Sequence, residues 1–345
     1  MSGATSKLPK SRRTAFLTPS EWSTLAILVV AFVVPMISSN PQILSQTNLV
    51  LIAATASLGV YIMLRLDLMS FAVPAFMAIG GYTVAILGIR LGVTDIFLLG
   101  ISSFLVPALC AIPLGTLILR LKGVYFVLVT FVLTEIVQLV LFEAAPLTGG
   151  ANGLTGLPTV QFFGIELWSN PAVVMTSCGL ALAGFAITAV FTRRFRYEFA
   201  AIETNDILAE SLGMAAWKYK VLAFSVAAGV SGFAGFALVN MLLTAHPSSF
   251  TSLTSVTYIT YTIVGGKRSI LGTLVGAFIL VTATEQFALS GELSPGLFGL
   301  LIIIVTHTAR GGIVGAVQSG IARLKGSMSK QEAGNGILTA GEKGK

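Results

Sequence analysis

The chain has 345 residues, of which 55% are apolar and only 10% charged, with a mean hydropathy of +0.90 and a formal net charge of +7. Soluble domains carry about a quarter of their residues as charges, so this composition excludes an ordinary water-soluble protein and implies a polytopic membrane protein. The positive charge lies in tails and loops, where anionic headgroups favour basic side chains by about 1 kcal/mol each. No folded soluble module offers a basic face to a nucleic acid.

Residues 1–20 form a basic tail containing Lys7, Lys10, Arg12 and Arg13. The apolar run after it is too long for a secretory signal and lacks a small-residue cleavage site, so it reads as a retained first helix. Runs near the 20-residue length that crosses a bilayer fall at about 22–38, 46–65, 71–89, 96–119, 124–145, 170–192, 221–243, 252–266, 270–289 and 294–309. The expected fold class is therefore all-α: a polytopic transmembrane bundle of about ten spans, some broken or short, within a membrane domain at 21–310. The eighth run, of about 15 residues, is either a broken or half-depth helix or no true crossing.

Ser70 to Tyr82, SFAVPAFMAIGGY, combines Pro74 with Gly80-Gly81, and SILGTLVGA later places Gly272 and Gly276 four apart. Small residues at that spacing let helices approach closely. Both segments follow a charged break, Arg65 and Asp67 in one case and Lys267 and Arg268 in the other. This weak echo is compatible with an internal repeat whose broken helices frame a path, and equally with packing alone.

Glu135 stands in the middle of the fifth run, with Thr134 beside it and Gln138 one turn on. A carboxylate there costs on the order of 2.5–3.5 kcal/mol on insertion scales, so it should face the bundle interior or water. Either it lines a hydrated path or it is locked to a neighbouring helix. Ser70 and Phe76 join Glu135 and Gln138 as pathway candidates. Between Glu143 and Thr192 there is no Lys or Arg, which fits an outer-face loop around LTGGANGLTGLP. Its candidate residues are Thr148, Gly149, Gly150, Asn152 and Gly153; the glycines suggest positive φ or close backbone approach.

The stretch 199–214 is polar and acid-bearing, with Arg193, Arg194 and Arg196 before it and Lys218 and Lys220 after it. It reads as one water-facing helix between two spans. Ala201, Leu208, Leu212 and Ala215 share a stripe interrupted by Thr204, with Glu203, Asp206 and Glu210 opposite. Gly213 ends it as a glycine just past a last turn often does. Basic loops are retained in the cytoplasm, which places this helix and both termini inside and leaves Arg90 on the opposite side.

Cys110 and Cys178 lie in apolar runs, and only His246 and His307 are present, so no metal site or nucleophile–base set is expected. Gly265-Gly266-Lys267-Arg268-Ser269 superficially resembles a phosphate loop, but Tyr261 and Arg268 occupy the positions that need Gly and Ser or Thr. The chain binds no ATP by that motif, so an active transporter would need a separate motor. At 311–345, Ile313, Val317, Ile321 and Leu324 mark an interfacial helix, followed by a polar tail expected to be disordered and cytoplasmic.

The run AAIETNDILAESLGMAAWKYKVLAF resembles the cytoplasmic coupling loop of bacterial ABC importer permeases of the branched-chain amino acid type. GVYFVLVTFVLTEIVQLV, LTGGANGLTGLP, SGFAGFALV and IVGGKRSILGTLVGAF resemble further blocks of that family in the same order, so the resemblance spans about 58–287. The GVYF and LTGG blocks favour the LivM-like subunit. The resemblance implies a permease subunit of an ATP-driven importer in the bacterial inner membrane, taking a small polar solute from a periplasmic binding protein by alternating access. It also implies a second, related permease and two cytoplasmic ATPases that use ATP and Mg, with no cofactor or catalytic residue on this chain. Ala200, Glu203, Asn205, Asp206, Ala209, Glu210 and Gly213 are then the ATPase-coupling residues.

Three departures from the family's pattern weaken any transfer of substrate: Val73-Pro74 in place of Gly-His, Gly266-Lys267-Arg268 in place of Gly-Leu-Gly, and Glu203-Thr204 in place of Arg-Glu. Amino acids, urea or short amides, and organic acids all remain open. The alternative is a secondary transporter or channel without a motor, for which Glu135, Glu285 and Asp67 are the only ionisable candidates.

Overall fold

The computed structural model describes residues 19–37, 40–267 and 269–288, together with 296, 299, 303 and 312–314. In chain order the helices are α1 (Pro19–Ile37), α2 (Pro41–Leu64), α3 (Val73–Leu91), α4 (Ile96–Ile118), α5 (Val124–Glu143), α6 (Ala145–Thr148), α7 (Asn170–Arg194), α8 (Arg196–Thr204), α9 (Asp206–Ser211), α10 (Ala216–Leu242), α11 (Leu253–Gly265) and α12 (Ile270–Ala288). Four two-residue strands complete it: β1 (Leu154–Thr155), β2 (Gln161–Phe162), β3 (Ile165–Glu166) and β4 (Thr244–Ala245).

The protein is all-α and polytopic. Seven helices, α2, α3, α4, α5, α7, α10 and α12, are long and apolar enough to cross a membrane, while the apolar part of α1 is the shorter stretch Trp22–Val33. The count of about ten is therefore reduced to seven full-length candidates among the described residues. The expected tenth span at 294–309, the basic tail and the C-terminal interfacial helix lie almost wholly outside those residues.

Helix boundaries follow the local chemistry. Asp95 caps α4 by accepting the amides of Phe97 at 2.7 Å and Leu98 at 3.2 Å, which satisfies two of the donors a helix start leaves free. Asn40 caps α2 ahead of Pro41, and Gly92 closes α3 in the left-handed region.

The bundle is built on α10, which packs against α2, α3, α4 and α7. Its sequence from Ala227 to Gly235, AAGVSGFAG, lets neighbouring backbones touch. Gly80 of α3 meets Gly232, Gly235 meets the Met77 carbonyl, and Gly59 of α2 meets Ser231 and the Ala227 carbonyl. Pro107 deprives the Ser103 carbonyl of its helical donor, and that carbonyl lies against Gly232.

The short eighth segment is a 13-residue helix that lies along α2. Asn48 near the start of α2 and Leu243 at the end of α10 line the same cavity, whereas Lys267 after α11 pairs with Asp67 after α2 at 3.5 Å. Residues 244–267 thus run from one end of α2 to the other. The 13-residue α11 supplies about 20 Å of that path, and the irregular stretch 246–252 supplies much of the remainder. At Gly276 of α12 a side chain would meet the Tyr261 carbonyl of α11, so these two helices form a close hairpin.

Candidate functional site

Two non-helical breaks meet along α5. The first is 65–72, between α2 and α3. The Phe71 amide donates to Thr130 Oγ1 at 3.1 Å, and the Phe71 carbonyl accepts Thr134 Oγ1 at 2.9 Å and Ser255 Oγ at 2.6 Å. Thr130 and Thr134 lie near the middle of α5. Irregular backbone at that depth is tolerated only where its polar groups are satisfied inside protein or by a hydrated cavity, and three hydroxyls perform that task here. Ser70, itself buried, accepts the Ala72 amide at 3.3 Å. The second break precedes α11, where Gln138 Nε2 approaches the Pro247 carbonyl at 3.4 Å.

The opposite face of α5 is bare. Tyr125, Leu128, Val132, Ile136 and Leu139 are all exposed, and Glu135 is exposed among them. The carboxylate therefore points away from this subunit's own core, towards whatever lies beside α5. Phe76 is elsewhere: it is buried, with its ring edge on Phe224 at 5.2 Å. Of the four pathway candidates, Glu135 and Gln138 border the α5 face, Ser70 lies inside the first break, and Phe76 belongs to the core.

The polar stretch is an elbow of two helices rather than one. Asn205 is extended, at φ −162° and ψ 107°, and its Oδ1 accepts the Leu208 amide at 3.0 Å to cap α9. The break rotates the faces, so the expected stripe does not exist. Phe199 and Ile202 of α8 and Ala209 of α9 are buried, whereas Ile207, Leu208 and, at 81% exposure, Leu212 stand in solvent. Phe199 stacks with Phe195, which meets Tyr219 of α10 at 5.8 Å, so α8 is fixed to the bundle.

Gly213 closes α9 at φ +87°, with its own amide on the Glu210 carbonyl at 2.9 Å and the Met214 amide on the Ala209 carbonyl at 3.1 Å. That pair of bonds is a Schellman closure. Ala200 and Glu210 are exposed and Glu203 is partly buried.

Asp206 turns inward. Its Oδ2 receives Lys220 Nζ of α10 at 2.7 Å and Lys122 Nζ, from the turn between α4 and α5, at 2.9 Å. Lys220 is only 7% exposed. Partial burial works against the charged form of Asp206, but hydrogen bonds from Lys220 and Lys122, and their Coulombic pull, outweigh it and hold the carboxyl below its usual range. The same hydrogen bond raises Lys122.

At the other end, the loop after α5 is a tight knot. Thr148 Oγ1 donates to the Leu141 and Ala144 carbonyls at 2.7 and 2.9 Å, and the Gly150 amide donates back to it at 3.2 Å. Gly149, Gly150 and Gly153 have φ of 77°, 60° and 66°. A side chain at Gly149 would strike the Gly153 carbonyl, and one at Gly153 would strike that of Ala245. Asn152 is exposed in the 3-10 turn between them. β1 pairs antiparallel with β4 in the register Leu154 to Ala245, tying the loop to the end of α10. Arg90 donates to the Pro146 and Leu147 carbonyls, which gives a local reason for a basic residue where the charge pattern disfavours one.

The family model described as the permease component of branched-chain amino acid transport systems matches residues 42–306. The chain belongs to this family.

The permease is 26% identical over 333 residues to the high-affinity branched-chain amino acid transport system permease protein LivM of Salmonella typhimurium, covering 89% of this chain and 78% of that protein. It is 26% identical over 306 residues to LivM of Escherichia coli, covering 81% and 72%. It is 25% identical over 277 residues to the ribose import permease protein RbsC of Haemophilus influenzae, covering 75% and 82%. No solved structure matches the chain. The permease is thus an integral membrane, LivM-like ABC permease.

Sequence reasoning missed the partners that make these sites. Lys122, Thr130 and Ser255 carry no local signal, because their roles depend on residues 59 or more positions away or on another helix. Lys220 did carry one: of the two cations in the first turns of α10, Lys218 and Lys220, it is the one nearer the apolar run that follows, and it is buried where Lys218 is exposed, so its ammonium demands a partner.

Proposed function

We propose that this permease is the membrane subunit of an ATP-driven importer for a small polar solute in the bacterial inner membrane. It pairs with a second, related permease, docks two separate cytoplasmic ATPases through α8 and α9, and receives solute from a periplasmic binding protein. The observation that carries the reading is the elbow: an α8–α9 unit outside the bundle, rigidly closed at Gly213, that presents Ile207, Leu208, Glu210 and Leu212 to solvent. Exposed aliphatic residues on a polar, water-facing segment suit a cleft on a partner. Ala200, Asn205 and Glu210 lie on this exposed surface, with Glu203 partly buried beside it and Ala209 and Gly213 setting its shape.

In this reading the bare face of α5 meets the second permease, and the solute path runs between them past Glu135. Nucleotide-driven closure of the ATPases pushes on the elbow and re-aims α5 and the breaks it braces, so that access alternates between the two faces. The glycine knot at 148–153 shapes the outer mouth and receives the binding protein. The tail at 1–20 and both termini are cytoplasmic, by the distribution of basic residues. A branched-chain amino acid, a urea or amide and an organic acid remain the candidate solutes, with the LivM likeness favouring the first.

The test is purification from cells expressing the neighbouring transport subunits, followed by reconstitution. ATPase subunits should copurify, and Glu210→Lys with Gly213→Val should release them while leaving the permease inserted and folded. Transport driven by a proton or sodium gradient, without ATPase subunits or ATP, would establish the motor-free alternative instead.

A further inference from the structure

Asp206 lies in the element proposed to dock the motor, yet its carboxylate points into the membrane domain. One oxygen, Oδ2, holds two ammonium groups from two different helical regions, Lys220 at 2.7 Å and Lys122 at 2.9 Å. The two contacts are physically unequal. Lys220 is buried, and a buried charge stripped of its partner is strongly destabilising, so this bond is the costlier of the two to open. The Lys122 side chain is 60% exposed, and exposed ion pairs contribute about 0–1 kcal/mol, so this contact can open and close.

What each lysine is attached to differs as well. Lys220 is in α10, the helix on which α2, α3 and α4 pack. Lys122 immediately precedes Gly123, which stands at φ +59° and ψ −132°, a conformation open to glycine and costly for other residues. From that glycine springs α5, which braces the first break through Thr130 and Thr134 and the second through Gln138.

We propose that Asp206 is the positioning residue that carries motion from α9 into the bundle, with Lys220 as its fixed pivot on α10 and Lys122 as a releasable clasp on the root of α5. This rests on the importer reading and deepens it, because the exposed surface of the elbow binds the motor while its inward carboxylate passes the load on. The same geometry explains why an acid in a docking element is turned away from the docking surface.

The experiment uses the complete transporter in nanodiscs, with Cys110 and Cys178 replaced by Ala and a single reporter, Leu139→Cys, on the bare face of α5. The probe is a fluorescent maleimide, and its labelling rate is compared with no nucleotide and after trapping with ATP and vanadate. In the Asp206-intact protein the rate changes on trapping. Asp206→Asn removes the charge but keeps an amide oxygen that can accept from Lys220, so a lowered melting temperature is expected and the comparison is made below it. There the ATPases that bind the variant still hydrolyse ATP, while the nucleotide-dependent change in labelling shrinks by about fivefold or more, the lower end of ordinary coupling between sites. Asp206→Glu, which keeps the charge, restores at least half of it, and Lys122→Gln weakens it without loss of ATPase binding.

A full labelling response in folded Asp206→Asn overturns the proposal. So does loss of the ATPases from that variant, which would make Asp206 a docking contact, and so does equal loss of response in the Asn and Glu variants at unchanged melting temperature. If ATPases fail to bind the Asp206-intact protein, or trapping leaves its labelling unchanged, the importer reading itself falls.

Discussion

α10 and α5 are both apolar helices of spanning length, yet 83% of the spanning window of α10 is buried inside the subunit and only 28% of that of α5. The difference is written in side-chain size. α10 carries AAGVSGFAG through its middle and touches its neighbours backbone to backbone; α5 carries VYFVLVTFVLTEIVQLV and buries only a narrow seam of Phe126, Thr130, Leu133, Thr134 and Leu141. In lipid, apolar burial gives no drive for helices to associate, so close approach of small residues marks the permanent contacts. A helix with bulky residues all round marks a face left for lipid or for another subunit. The permease accordingly has a fixed scaffold, α2, α3 and α10, and an outward-facing strut, α5, that meets it through hydroxyl hydrogen bonds.

The strongest way to break that contrast is to add volume to both sides. Gly232→Val places a side chain against the Ser103 carbonyl and Pro107. We expect a loss at or above the upper end of the usual overpacking cost, about 3 kcal/mol, seen as loss of the monodisperse peak in detergent. Leu139→Ala on the bare face of α5 should change stability by less than about 0.5 kcal/mol, as for ordinary surface substitutions. Equal effects at the two positions would dissolve the distinction between scaffold and strut.

The outer knot offers a finer version of the same test. Gly149 and Gly156 both have positive φ, but a side chain at Gly149 meets the Gly153 carbonyl whereas Gly156 has open space around it. Gly156→Ala should cost only the backbone term, about 1–2 kcal/mol, and Gly149→Ala clearly more. Thermal melting separates them. Full uptake by Gly149→Val at unchanged stability would show instead that the loop is an ordinary mobile connection.

Much of this architecture was legible in the chain itself because length and polarity fix a membrane helix almost alone. Every expected run from 22 to 289 coincides with a described helix to within about five residues at either end. Gly213 and the glycines of the outer knot could be read because positive φ leaves few other residues possible. What stayed hidden depended on the third dimension. The stripe through Leu208 and Leu212 assumed an unbroken helix, and a single extended residue, Asn205, was enough to turn those side chains outward. The destination of the Asp206 carboxylate required Lys122, 84 positions earlier in the chain. The course of 244–267 along α2 was obscured because its helix, α11, covers only part of the path.

A smaller effect probes the joint between elbow and scaffold. The folded-state pKa of Asp206 is depressed, so its ion pairs stabilise the protein fully above the unfolded carboxylate pKa of about 3.9. That contribution disappears as pH falls from there through the lower folded value. Melting curves of the intact protein and Asp206→Asn should therefore lie apart at pH 6 and begin to converge only once the pH falls below the unfolded carboxylate value of about 3.9. A gap that persists in acid would mean that shape rather than charge holds α9 in place.

The smallest expected change in stability, and the most informative about function, is at Glu135. Were the α5 face simply in contact with lipid, replacing this acid with Leu would remove an insertion cost of about 2.5–3.5 kcal/mol and raise the melting temperature without touching transport. Were it locked to a neighbouring helix, Gln and Leu would both act on stability, since a buried polar group is costly unless satisfied. The exposed position of Glu135 on a face other than that of Thr130 and Thr134 fits a third outcome, a hydrated path shared with the second permease proposed above. There Glu135→Gln keeps both fold and uptake, because the isostere preserves shape and much of the hydrogen bonding. Glu135→Leu leaves the melting temperature of the assembled transporter nearly unchanged and lowers uptake through lost polarity. Uptake in vesicles measured beside melting in detergent distinguishes the three, and normal uptake by a Leu variant of normal stability would remove Glu135 from the path.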